Sequence, residues 1–201
     1  MFKILLIIFA LLLVTLSCTK KSPTPAPALS TSPFPNAVGN TYTYQVVDSN
    51  LNSKYQVQVT VAGTITLKNG LTASVWVYKG PASIDTNYVA NSGDSTVFYD
   101  KSKLNIVSVY HFPLQIGKKY KNSSYNDSTK IISSGPLVLT SSTYLSSFYL
   151  YEHASGFNYK LNRRQWISPN IGLLKQALYI YNLGPEISQS WELISYHLNQ
   201  K

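Results

Sequence analysis

The sequence predicts an all-β protein built from a single antiparallel meander, which forms a strongly curved open sheet or a partial barrel. Beyond residue 36, apolar and polar residues alternate along short runs, as they do in strands with one buried face. Turn residues such as Asn-Gly and Gly-Pro separate these runs. The 201-residue chain has 16 Tyr, a strand-favouring residue, and little helix is expected beyond the first 18 residues.

The clearest predicted strand is Lys54–Val61, in which apolar and polar residues alternate strictly. Its apolar face holds Tyr55, Val57, Val59 and Val61. Ala62-Gly63 then predicts a bulge or a turn. Lys68-Asn69-Gly70 predicts a hairpin with a type I′ turn, because Asn-Gly readily takes positive φ angles. The next apolar face consists of Leu71, Ala73, Val75 and Val77.

The rest of the chain predicts further antiparallel strands, with breaks at Lys79-Gly80-Pro81 and Asn91-Ser92-Gly93-Asp94. Two late hairpins are expected, formed by 143–153 with 157–168 and by 172–182 with 188–198. The total is about ten to twelve strands. A short helix over Thr140–Ser147 is the one helical alternative.

The first 18 residues read MFKILLIIFALLLVTLSC and have the pattern of an export signal. Lys3 precedes an apolar run that is shorter than the about 20 residues needed to span a bilayer. The only cysteine, Cys18, follows Ser17 at the end of this run, an arrangement that resembles the lipobox of bacterial lipoproteins. The resemblance implies a diacylglycerol on Cys18 and removal of residues 1–17. An uncleaved anchor and an ordinary secretory signal are the alternatives.

Residues 18–35 form a predicted stalk rich in Pro, Ser and Thr, followed by a β domain over 36–201. At about 3.1 Å per residue, the stalk would extend at most roughly 50 Å. Acyl chains on Cys18 would bind the membrane as partner. Thr19 is not the Asp that retains Gram-negative lipoproteins at the inner membrane. The resemblance therefore implies the outer membrane, and Lys20 and Lys21 favour its periplasmic face over the cell surface.

A short sequence pattern, here called the echo, occurs twice and divides the β domain into two candidate halves, 34–111 and 112–201. Phe34-Pro35 is followed by Gly39 and Tyr42, and Phe112-Pro113 is followed at the same spacing by Gly117 and Tyr120. Duplication is one explanation, and chance recurrence of common turn residues is the other.

This opening also resembles a group of uncharacterised Gram-negative lipoproteins that begin with F-P-x-x-x-G-N-x-[WY]. The later segment Trp166–Lys175, with its Gly172-Leu173-Leu174-Lys175 ending, resembles a second motif of that group. The group is similar to curved sheets that wrap an apolar cavity, as in periplasmic lipoprotein carriers. It implies a fold and no activity, because the group has no agreed catalytic residues.

The charge balance is basic, with a formal net charge of +9, but charged residues make up only 12% of the chain. The Lys residues are scattered and no basic helix is predicted, so nucleic acid is not expected as a partner. Attraction to anionic headgroups and a surface that is simply poor in acids both remain open. With Cys18 acylated, no thiol remains for a disulfide or a metal site.

No catalytic, metal or cofactor site is predicted. The sequence lacks a nucleophile elbow, a phosphate loop and a dinucleotide fingerprint. Glu152 and His153 are adjacent in a strand and should face opposite sides of the sheet. A hydrolase would need at least two of these residues in one cleft: His111, His153, His197, Glu152 and Glu192.

Aromatic and basic side chains are the remaining binding candidates, because rings can line a groove for sugars or acyl chains. They are Trp76, Trp166, Trp191, Tyr149, Tyr151, Tyr179, Tyr181, Arg163 and Arg164. The sequence thus predicts a non-enzymatic outer-membrane lipoprotein, a binding or envelope-structural module. Its partner would be an apolar or glycan ligand or an envelope protein. A carrier of a lipid or other apolar ligand, and a glycan-acting hydrolase, are the alternatives.

Overall fold

The computed structural model describes residues 34–121, 128–155, 160–181 and 185–199. These residues form strands and no helix, so none of them provides an apolar helix that could cross a membrane. The strands are β1 (Thr41–Asp48), β2 (Ser53–Thr66), β3 (Thr72–Lys79), β4 (Ile84–Ser92), β5 (Ser95–Tyr99), β6 (Ile106–His111), β7 (Lys119–Lys121), β8 (Ser128–Val138), β9 (Thr143–Ser155), β10 (Lys160–Ser168), β11 (Gly172–Tyr181) and β12 (Pro185–His197). The predicted signal peptide, Cys18 and stalk residues up to 33 lie outside the described residues.

All twelve strands belong to one antiparallel sheet, in the order β6-β5-β4-β3-β2-β1-β12-β11-β10-β9-β8-β7. The first and last strands pair at the centre, where Val46 of β1 lies opposite Trp191 of β12. Each half of the chain is therefore a six-stranded meander, and the two meanders meet along β1 and β12. The all-β antiparallel meander that the alternation predicted is confirmed.

The sheet curves until its two edges face each other. The edge strands β6 and β7 are consecutive in the chain, and only residues 112–118 join them. The rings of His111 on β6 and Tyr120 on β7 have their centroids 4.6 Å apart. In the described residues no backbone ladder joins β6 to β7, so the sheet is strongly curved but open, as predicted.

The concave face forms the main core. Val57, Val59 and Val61 of β2 are buried on it, and Trp76 of β3 lies opposite Val61. The register shifts between Val61 and Gly63, which confirms the predicted bulge. The largest fully buried side chains on this face include Tyr42, Leu114, Ile131, Leu150, Ile167, Leu174 and Leu193.

A second, smaller apolar cluster lies on the convex face. Its buried members are Leu67, Ala73, Ala90 and Tyr99. The apolar run predicted on β3 therefore belongs in part to this cluster, because Ala73 packs there. The main core instead receives Trp76, on the opposite face of the strand. Local alternation predicted the strand correctly but could not tell which face meets the larger core.

The two echo segments make the same turn. Gly39 has φ +94° and donates its N–H to Val61 O at 2.9 Å, whereas Gly117 has φ +84° and donates to Ile131 O at 2.8 Å. The next residues, Asn40 and Lys118, accept from the N–H of Val61 at 2.9 Å and of Ile131 at 3.0 Å. Val61 and Ile131 both lie on the second strand of their halves. Duplication itself stays a prediction.

The region near residue 140 is not helical. Leu139 N donates to Ser142 O at 2.8 Å, and β9 begins at Thr143. The helical alternative for Thr140–Ser147 is therefore wrong, because the chain turns here to pair β9 with β8. The two predicted late hairpins are present as β9–β10 and β11–β12. Their turns at 156–159 and 182–184 lie outside the described residues.

Candidate functional site: a cavity at one end of the curved sheet

Curvature of the sheet leaves a cavity of about 810 Å³ on the concave face. At one end its lining includes Leu51 and residues 80–83, from the turns that follow β1 and β3. At the other end Phe34 lines it, and the Phe34 ring approaches Gly172, the first residue of β11. The cavity therefore opens where β1 ends and is closed where β1 begins. Its volume lies within the usual range for small-molecule sites, about 300–1,000 Å³.

Phe34 closes the inner end of the cavity. Its ring stacks on Tyr110, with centroids 5.5 Å apart and planes 7° apart. Phe98 meets the same ring edge-on at 5.5 Å, and Trp76 lies at 5.8 Å. Such aromatic pairs stabilise the core beyond the area that they bury. Phe34, the first residue of the candidate half 34–111, thus sets the depth of the cavity.

One wall of the cavity is polar, and two of its hydrogen bonds join β6 to β10, which are not neighbours in the sheet. Tyr110 OH on β6 donates to Gln165 Oε1 on β10 at 3.1 Å. Gln165 Nε2 donates to Gln176 Oε1 on β11 at 2.9 Å. Arg163 Nη2 on β10 donates to Ser108 Oγ on β6 at 3.3 Å. The two bonds between β6 and β10 cross the interior, whereas the Gln165–Gln176 bond joins neighbouring strands. Together they hold amide and guanidinium groups at the cavity surface.

The facing wall is aromatic. It is lined by Tyr44, Tyr55, Trp76, Tyr78 and Trp191. Both indole N–H groups are bonded within the protein: Trp191 Nε1 donates to Gln189 Oε1 and Trp76 Nε1 to Asn36 Oδ1, each at 2.7 Å. Each indole N–H group therefore already has a hydrogen-bond acceptor within the protein. Tyr55, Tyr78 and Trp191 are only partly buried, so their rings are accessible.

Gln189 orients residues near the mouth of the cavity. Its Nε2 donates to Asp48 Oδ2 at 3.1 Å and to Tyr55 OH at 3.4 Å, while its Oε1 accepts from Trp191. One amide thereby links β1, β2 and β12. This fixes the indole plane of Trp191 against the tilted ring of Tyr44, whose centroid is 5.8 Å away.

The cavity contains few formal charges. Apart from tyrosines, its ionisable lining residues are Lys54, Asp85 and Arg163. Burial raises the pKa of Tyr78, and the neighbouring Asn87 amide opposes this shift. Burial likewise raises the pKa of Tyr44 well above its ordinary value. These phenols thus stay neutral at physiological pH and can donate and accept hydrogen bonds.

The predicted binding residues separate onto the two faces of the sheet. Trp76, Trp191 and Arg163 come together as lining of the cavity. Tyr149 and Trp166 stack on each other, with centroids 4.9 Å apart and planes 20° apart, and neither lines the cavity. A single groove that includes all of them is not formed, because neighbouring residues of a strand face opposite sides.

Two further predicted residues on the convex side form a cation–π pair. The Arg164 guanidinium lies 4.6 Å from the ring centroid of Tyr179. Tyr151 and Tyr181 lie on β9 and β11, but their side chains are outside the described part of the structure. A ligand-binding role for each of these residues stays a prediction.

Sequence reasoning missed the amide groups of the site. Gln165, Gln176 and Gln189 lie on three adjacent strands and all line the cavity. The sequence signal that these three residues share is a polar side chain at a strand position where the alternating pattern predicts a buried apolar side chain. Reading that signal requires the strand register, which bulges shift between Trp166 and Ile167 and between Leu178 and Tyr179.

The candidate catalytic residues with described side chains lie apart. His111 lies on the edge strand β6, with its Nδ1 2.9 Å from Ser95 Oγ. His197 is exposed beside the start of β1, at the closed end of the cavity. Glu192 bonds Lys175 Nζ at 3.4 Å. None of these three lines the cavity. The side chains of Glu152 and His153 are outside the described ones. Among described residues, no three His, Cys, Asp or Glu side chains are grouped for a metal.

The described chain is thus a curved, open antiparallel sheet with a mixed aromatic and polar cavity at one end. A crystal structure from Bacteroides fragilis NCTC 9343, of a protein provisionally described as exported and with a YmcC-like fold, is similar to it. That structure has a TM-score of 0.54 at 10% identity, over 83% of this chain and 99% of the other. At this identity the likeness concerns the fold alone.

A second similar structure comes from Parabacteroides distasonis ATCC 8503 and belongs to a protein provisionally described as a lipoprotein. It has a TM-score of 0.44 at 14% identity, over 84% of this chain and 99% of the other. No protein-family model and no curated protein sequence matches this chain.

Proposed function

We propose that this protein is an outer-membrane lipoprotein, anchored through Cys18, that binds a small ligand in its end cavity and does not transform it. The observation that carries the proposal is the cavity of about 810 Å³, open at one end and lined by accessible rings and amides. The lipobox-like end of the signal supports the anchor. The Bacteroides fragilis neighbour is also described, provisionally, as exported.

The position of the cavity supports a ligand that arrives from the side away from the anchor. The stalk leads into Phe34 and the start of β1, at the closed end of the sheet. The mouth lies at the far end of β1, whose eight residues span roughly 26 Å at 3.3 Å per residue. On the periplasmic face of the outer membrane, the mouth would point into the periplasm.

A carrier of an apolar ligand is the second candidate, because Val57, Val59, Leu173 and Leu178 also line the cavity. However, an acyl chain would desolvate the amide nitrogen of Gln176, which has no acceptor among the described residues, without bonding it. An unsatisfied buried polar group costs about 1–3 kcal/mol. A ligand with its own polar groups avoids this cost, so the polar wall ranks the apolar carrier second. A hydrolase ranks third, since none of its described candidate residues lines the cavity.

The test is mass spectrometry of the protein purified from membranes of its own host. The Cys18 peptide should carry the mass of acyl chains, and a small molecule should be released on denaturation. Leu178→Trp, which fills the cavity from β11, should abolish retention of that molecule. Val138→Trp, at a residue that is 73% exposed and outside the cavity, is the matched control. An unmodified Cys18, or a molecule retained equally by both variants, would contradict the proposal.

A further inference from the structure

Resting on that proposed function, we infer that the cavity binds a saccharide that carries an acidic group. The two walls of the cavity have different chemistry, and each fits one part of such a ligand. The aromatic wall fits the C–H face of a sugar ring, and the amide wall fits its hydroxyl groups. The guanidinium of Arg163 fits a carboxylate or phosphate substituent.

The aromatic wall presents ring faces. Both indole N–H groups are bonded to protein oxygens, so the indoles offer no free edge donor to a ligand. Tyr55, Tyr78 and Trp191 are partly buried, and each lines the cavity. A pyranose has one face of C–H groups that packs on such rings while its hydroxyls point sideways. The accessible rings therefore suit a flat ligand that has an apolar face and polar edges.

The amide wall retains unused hydrogen-bonding capacity. Gln176 accepts from Gln165 through Oε1, and no described residue accepts a hydrogen bond from its amide nitrogen. A carboxamide has two N–H donors and an acceptor oxygen, so it can pair with hydroxyls in either direction. Saccharide hydroxyls also both donate and accept. An alkyl chain could satisfy none of these groups.

Among the described lining residues, the formal charges favour an acidic ligand. Arg163 and Lys54 are positive, whereas Asp85 is the one carboxylate among the described lining residues. A planar guanidinium matches a carboxylate or a phosphate with parallel N–H donors. Arg163 lies on the polar wall beside Ser108, at 3.3 Å, and on the same face of β10 as Gln165. An acidic sugar can therefore meet the amides and the charge together.

The test compares saccharides that differ only in charge, by calorimetry and by tryptophan fluorescence. Cellobiose is compared with the same disaccharide ending in glucuronate, and glucose with glucose 6-phosphate. The acidic member of at least one pair should bind about tenfold more tightly, as expected for one charge-assisted contact. The carboxylate and phosphate arms show which acid the site prefers. Trp76 and Trp191 in the cavity report binding directly.

Adjacent arginines provide matched variants, because Arg163 faces the cavity and Arg164 faces Tyr179 on the convex side. Arg163→Gln should remove the preference for the acidic saccharide while weak binding of the neutral one persists. Arg164→Gln should leave both affinities unchanged. If Arg163→Gln fails to fold, the comparison of acidic and neutral saccharides on the unaltered protein still decides the question.

The outcomes separate this inference from the proposed function. If the cavity retains a small molecule but no acidic saccharide binds more tightly than its neutral partner, the inference is wrong and the proposed function stands. The inference is also wrong if Arg163→Gln leaves the acid preference intact. If Leu178→Trp and Val138→Trp retain the host molecule equally, the proposed function itself fails.

Discussion

Gly172 is a residue where backbone conformation and packing both exclude a side chain. Its φ is +106°, and an added Cβ would lie 3.1 Å from two carbons of the Phe34 ring. Gly172→Ala should therefore lower the free energy of unfolding by about 1–3 kcal/mol, measured by urea denaturation. Gly63→Ala is the control, since its Cβ would meet nothing within 4 Å. Equal losses in the two variants would contradict this account.

Glu192 should make stability depend on pH. Burial opposes its ionisation, but hydrogen bonds from Thr140 and the ammonium of Lys175 outweigh it and lower the pKa of this carboxyl below 4.5. Its contribution is thus complete above that ordinary value and lost as pH falls below it. Glu192→Gln should lower stability by about 0.5 kcal/mol at neutral pH.

The measurement for Glu192 is urea denaturation of both proteins across the acidic range. The difference between the unaltered protein and Glu192→Gln should shrink as the pH falls through and below 4.5. High salt should shrink it as well, because the Lys175 contact is partly exposed. A difference that grows towards low pH would contradict the assignment.

The turn at Lys68-Asn69-Gly70 shows what residue types alone leave undecided. Asn-Gly predicted a type I′ turn, which needs positive φ at both central residues. Only Gly70 has positive φ there, at +81°, and its N–H donates to Leu67 O at 2.9 Å. The loop is therefore a tight turn followed by a left-handed glycine. The expected hairpin is present, but the type I′ prediction is wrong.

Among the structural elements, the two echo turns should respond alike to substitution. Gly39 and Gly117 have φ of +94° and +84° and make the same backbone hydrogen bonds. Gly117→Ala should cost about 1 kcal/mol from backbone strain alone, because its Cβ would meet nothing within 4 Å. Gly39→Ala should cost more, because its Cβ would lie 3.0 Å from Asn199 Nδ2. Denaturant titration of both variants measures this.

A larger loss in Gly117→Ala than in Gly39→Ala would show that the two turns are not equivalent. Equivalent costs after the Asn199 contact is removed, in a Gly39→Ala, Asn199→Ala double variant, would support the same structural use in both halves. Duplication of 34–111 and 112–201 would still need a common ancestor, and it stays a prediction.

At the scale of the whole molecule, the first and last strands lie at the centre of the sheet and the mid-chain strands lie at its edges. β1 pairs with both β2 and β12, whereas β6 and β7 each pair on one side in the described structure. Amide hydrogens of β1 and β12 should therefore exchange most slowly, and those of β6 and β7 fastest. Hydrogen exchange followed by mass spectrometry measures this. Slow exchange at β6 with fast exchange at β12 would contradict the topology.

The local features of this protein follow from the amino-acid sequence alone. The alternation in β2, the bulge at Ala62-Gly63 and the turn residues predicted an antiparallel all-β meander, because side chains alternate sides along every strand whatever surrounds it. The open, curved form was expected because curvature buries the apolar faces of alternating strands. The apolar start predicts export, and the resemblance of its end to a lipobox implies lipidation of Cys18; both stay predictions.

The location of the cavity and the residues that line it, in contrast, depend on the tertiary structure. The sheet brings Tyr110 onto Gln165, 55 residues later in the chain, and no local pattern encodes that approach. Bulges also shift the register, so the sequence could name Arg163 and Arg164 together without deciding which one faces the interior. The candidate site therefore requires sheet curvature and strand register, which arise from contacts between residues far apart in the chain.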